Sequence, residues 1–116
     1  MPLSYSKRKI KRKREVNELQ LGNQIFVKDF QLDPDAFPVP SDLESWRERI
    51  RAVISELIDN DMERLLLILY RIDVREEEVK RILTEEKPGL IAASIADLIV
   101  ERELQKVRTR LKYRSQ

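Results

Sequence analysis

The only side chains in this 116-residue chain suited to acid–base chemistry at neutral pH are carboxylates. The candidate groups are Glu76-Glu77-Glu78, Glu85-Glu86 and Asp59 with Asp61. A catalytic pair needs two carboxyl groups converging in a cleft, with pKa values pushed apart. Each of these groups instead falls where a helix should start or stop, and acids there cap amides or face solvent. Histidine and cysteine are both missing. Zinc sites and nucleophiles of the Ser-His or Cys-His kind are therefore excluded by composition. Asn60-Asp61-Met62-Glu63 offers oxygen ligands but lacks the glycine and spacing of a calcium loop. Gly22 and Gly89 stand alone, so no Gly-rich phosphate loop exists. The expectation is a non-enzymatic chain with no metal and no cofactor.

Cations carry the stronger signal. Lys7, Arg8, Lys9, Lys11, Arg12, Lys13 and Arg14 occupy an eight-residue run, and residues 1–14 contain no acid. Such a run gains free energy by releasing counterions from a phosphate backbone. Near the other end, Arg102, Lys106, Arg110 and Arg114 step by four and share one helix face, with Arg108 and Lys112 on another. Tyr113 adds an aromatic ring that could stack on a base. No acid follows Glu103. The net charge of +2 therefore conceals basic ends around an acidic middle. These residues are the candidate nucleic-acid contacts. RNA or a ribonucleoprotein surface is the expected partner, bound through phosphates without base-specific reading.

A second candidate surface is apolar. Val100, Leu104, Val107 and Leu111 step by 4, 3 and 4, the spacing of a narrow helix-pairing seam. That seam would serve a helical partner or a second copy of the chain. An anionic membrane surface is a third and weaker option for the basic ends. A helix-turn-helix reader fails on charge, because Glu76-Glu77-Glu78 would face phosphates. Trp46 is expected in the core or at an interface.

The elements that must position these residues are helical. Few aromatics, two glycines and 38% charged residues suit amphipathic helices better than a sandwich or barrel. Residues 1–17 read as a disordered basic arm. Residues 18–40 form an extended connection. Ile25-Phe26-Val27 favours a strand, and Gly22-Asn23 allows a hairpin turn. Pro34, Pro38 and Pro40 then forbid regular structure. Residues 41–116 make the helical domain. Ser41 with Glu44 caps a first helix whose apolar face runs from Leu43 to Ile58. Asn60 with Glu63 starts a second over Met62 to Ile72. Leu65 to Tyr70 is apolar on every side, which places that helix in the middle of the bundle. Asp73 with Glu76 opens a third, Val74 to Thr84. Pro88-Gly89 precedes a long last helix from Pro88 to Tyr113, ~39 Å at 1.5 Å per residue. The fold class is all-α, a small four-helix bundle-like domain with a basic arm and a long C-terminal helix. The longest apolar run falls far short of the ~20 residues a membrane span needs. No signal sequence follows the basic start, and a cytoplasmic location is expected.

Overall fold

A computed structural model describes residues 17–114. Five helices are present among the described residues, and no strand. They are α1 (17–29), α2 (Leu43–Asn60), α3 (Met62–Arg71), α4 (Glu76–Glu85) and α5 (Ile91–Arg114). Short 3-10 turns at Pro34–Ala36 and Pro88–Leu90 interrupt the connections. The all-α class and the long C-terminal helix agree with the sequence pattern. The basic arm, Lys7 to Arg14, lies outside the described residues.

The additional helix is α1, which replaces the hairpin allowed at 18–32. Leu19, Gly22, Asn23, Phe26 and Phe30 are all buried, at steps of three and four. Gly22 and Asn23, the pair suggestive of a turn, are packing residues. A Cβ on Gly22 would lie 2.8 Å from Cη2 of Trp46, so the helix approaches the indole only because that Cβ is absent. Asn23 Nδ2 donates to the carbonyl of Phe37 at 2.9 Å. Arg49 donates to the carbonyl of Pro38. The Pro-rich connection is thus tied to α1 and α2, with Phe37 set edge-on to Phe26. Trp46 is fully buried.

The caps of α2 and α3 lie one residue beyond those the sequence pattern marks, and the last two helices start later, at Glu76 rather than Val74 and at Ile91 rather than Pro88. Asp42 rather than Ser41 caps α2, its carboxylate accepting from the Ser45 amide at 2.7 Å. That bond holds the Asp42 carboxyl below its usual pKa range. Asp61 rather than Asn60 caps α3, accepting from the Arg64 amide. Asp73 does not cap α4 at all. It follows α3 in the left-handed region, φ 65°, with its amide bonded to the Tyr70 carbonyl and that of Val74 to Leu69. This is a Schellman ending, and α4 starts only at Glu76. Gln31, φ 54°, ends α1 in the same manner.

The core is one cluster built from all five helices, from Leu19 in α1 to Val100 in α5. The long helices α2 and α5 lie against each other, α3 packs on α2, and α4 on α5. Helix α3 is not central, contrary to its apolar sequence. Leu65, Ile68 and Leu69 face inward, while Leu66, Leu67 and Tyr70 face solvent. No helix is long and apolar enough to cross a membrane among the described residues.

Candidate functional site

The cationic stripe on α5 divides into a committed half and an open half. Arg102 Nε donates to the Ile72 carbonyl at 2.9 Å, and its guanidinium lies 3.8 Å from Asp73. It caps the end of α3 rather than facing a partner. Lys106 Nζ lies 2.9 Å from Asp29 Oδ2 and 3.3 Å from Glu103 Oε1. Both cations therefore hold the fold together. Arg110 and Arg114 are exposed, as is Arg108, and none of the three makes an ion pair with a described residue. Tyr113 stands among them, 71% exposed. Lys112 is exposed beside it.

The apolar seam of α5 is occupied by the chain's own core. Val100 and Val107 are buried, and Leu104 packs against the cluster that contains Leu19, Phe26, Val27 and Phe30 of α1. Leu111 is half-buried. Of the expected pairing surface, Val100 and Val107 are thus internal and Leu104 packs against the core, while Leu111 keeps part of its surface exposed.

No family model, curated protein or solved structure matches this chain. The functional reading rests on its own residues.

Glu103 is a buried acid that the candidate groups named from spacing do not include. Glu103 has no exposed surface, and neither of its carboxylate oxygens accepts a hydrogen bond. Lys106 lies within ion-pair range but without hydrogen-bond alignment. Burial pushes the Glu103 carboxyl up to about 8, the Asp29 charge adds to the rise, and Lys106 opposes it. The signal was present in the sequence. Glu103 sits on the line of Ala96, Ile99, Val100 and Val107, the apolar face of α5. Being sealed from solvent, the carboxylate has no route to a substrate. It belongs with Asp29 and Lys106 to the joint between α1 and α5.

The other acids have structural places. Glu76, Glu77 and Glu78 fill the first turn of α4, where Glu78 pairs with Arg81 and Glu76 with Lys80. No group of three or more Asp or Glu residues is arranged to hold a metal ion among the described residues. Two openings border the α3–α4 corner. One, about 460 Å³, is polar, and its lining of Asp73, Arg75, Glu78, Glu101 and Arg102 mixes charges of both signs. The other, about 420 Å³, is an apolar groove walled by Leu66, Tyr70 and Val74 on one side and Val79 and Leu83 on the other.

Proposed function

We propose that this chain is a non-catalytic interaction module that engages the phosphates of RNA, alone or within a ribonucleoprotein. The end of α5 and the basic run Lys7 to Arg14 supply the contacts. The observation that carries this reading is the set Arg108, Arg110 and Arg114, exposed and unpaired among the described residues, beside an exposed Tyr113. Guanidinium groups offer paired N–H donors to phosphate oxygens, and the tyrosine ring offers a face for an unpaired base. The fold favours the placement. Arg102 and Lys106 brace α5 against α3 and α1, so the last turns of the helix project from a fixed base.

Contacts of this kind position a nucleic acid without reading its sequence. A cytoplasmic setting, where RNA is abundant, belongs to the same reading. The test is fluorescence anisotropy with a labelled single-stranded RNA at low salt. Binding that weakens as salt rises, and falls on removal of residues 7–14, supports the proposal. Undetectable binding at low salt, or affinity indifferent to that deletion, overturns it. Vesicles of anionic lipid run alongside separate an RNA preference from general attraction to phosphate surfaces.

A further inference from the structure

Three large apolar side chains are exposed on the outward side of α3. Leu67 is 59% exposed and Tyr70 82% exposed, with Leu66 beside them at 42%. Exposed leucines and tyrosines gathered on one helix mark a contact surface rather than ordinary surface scatter. Glu63, Leu67 and Arg71 step by four, so they form one line along this side. The line is acidic at its start, apolar at its middle and basic at its end. Glu63 and Arg71 are both exposed, and neither has an ion-pair partner among the described residues. The apolar groove toward α4 runs alongside.

This charge order identifies the occupant. A partner of one charge sign would satisfy Glu63 or Arg71 and repel the other. A parallel copy would set Glu63 against Glu63. A second copy related by a two-fold axis through Leu67 runs antiparallel, and it sets each Glu63 against the mate's Arg71. The two residues are ~12 Å apart along the helix at 1.5 Å per residue, so both contacts form at once. The two Leu67 side chains then meet at the axis, and Tyr70 of each copy lies over the groove of the other. The surface is self-complementary in the way an isologous interface requires.

We propose that the chain forms a two-fold homodimer through α3, with Leu67 at the axis and reciprocal Glu63–Arg71 pairs at its rim. One ten-residue helix and its groove make a small interface, so the dimer is a reversible one. The dimer does not depend on the nucleic-acid reading and is measured in the absence of RNA.

Sedimentation equilibrium of the full chain from about 1 to about 300 µM covers dissociation constants expected of a weak, reversible dimer. The expected result is an average mass rising from monomer toward dimer. Leu67→Glu should weaken association at least about tenfold by burying a charge at the axis. Because Leu67 is exposed in the monomer, circular dichroism should show the variant folded. Glu63→Arg should also weaken the dimer, since it faces Arg71 of the mate twice. The double variant Glu63→Arg/Arg71→Glu should restore the parent affinity, which contact with an unrelated partner would not do. A monomeric mass throughout the range overturns the proposal. So does a dimer indifferent to Leu67→Glu, or a charge reversal without rescue in the double variant.

Discussion

Lys106 Nζ lies 2.9 Å from Asp29 Oδ2, an ion pair that joins α5 to the end of α1 across 77 residues of chain. Both side chains are mostly buried, so solvent screens the pair less than it would at the surface. The same ammonium is the cation nearest to the sealed carboxyl of Glu103. One lysine thus answers two acids from two helices.

Removing that lysine should be costly. Lys106→Met keeps the aliphatic stem but leaves Asp29 without its cation, whereas the Glu103 carboxyl, raised to about 8, still holds its proton at pH 7. Breaking a buried pair by deleting one partner typically costs ~3–5 kcal/mol, and partial exposure places this case toward the lower end. Urea unfolding at pH 7 measures the loss. A change within error of zero would mean the joint between α1 and α5 does not depend on charge.

Glu103 should make stability depend on pH. Its carboxyl is raised to about 8 in the fold, against 4.5 ordinarily, first by burial and then by Asp29. Below the ordinary value both folded and unfolded chains hold the proton, and no penalty arises. Between the two values the unfolded chain has lost the proton and the folded chain keeps it. Stability therefore falls as pH rises through this window, by at most ~1.4 kcal/mol per unit, and levels off above about 8. Glu103→Gln should abolish most of this fall and leave the variant more stable than the parent at pH 8. Parallel melting temperatures for the two proteins from pH 5 to pH 8 would refute this.

Gly22→Ala should destabilise the chain although alanine is the better helix former. The new Cβ would meet Cη2 of Trp46 at 2.8 Å, and that indole is fully buried. Overpacking of this kind costs ~1–3 kcal/mol, outweighing the ~1 kcal/mol gained in helix propensity. In a double-mutant cycle, Trp46→Phe should relieve part of the clash, so the two substitutions together cost less than their sum. Strict additivity would show that the close approach is not felt.

Gln31→Gly should stabilise. Gln31 ends α1 at φ 54°, a conformation that strains a residue bearing a Cβ. Glycine is the preferred residue at this position of a Schellman ending, and the gain should be ~0.5–1 kcal/mol after its larger unfolded-state entropy is counted. Thermal unfolding reads the shift directly, and a lower melting temperature would count against the strain.

What could be seen in the sequence follows from which contacts are local. The periodic apolar faces of α2 and α5 and the acid-rich start of α4 depend on neighbours within a turn or two, and they were legible. Helix α1 was not, because Gly22 and Asn23 owe their places to Trp46 and Phe37, which are distant in sequence. Nor could the spacing of Val100, Leu104 and Val107 show that the chain's own core covers them. The apolar run Leu65 to Tyr70 suggested a central helix, yet half of it faces solvent, since composition cannot say which side finds a neighbour. Among the basic residues of α5, the spacing of four grouped Arg102, Lys106, Arg110 and Arg114. It could not show that Ile72, Asp29 and Glu103 claim the first two.

The salt dependence of RNA affinity tests phosphate contact by the end of α5 most directly. The slope of log K against log salt counts the phosphates neutralised, at about 0.7 per contact for a single strand. Replacing Arg108, Arg110 and Arg114 together by alanine should flatten that slope by about 2 and weaken binding at low salt. A variant that binds RNA with the parent's slope and affinity would show that these cations touch no phosphate.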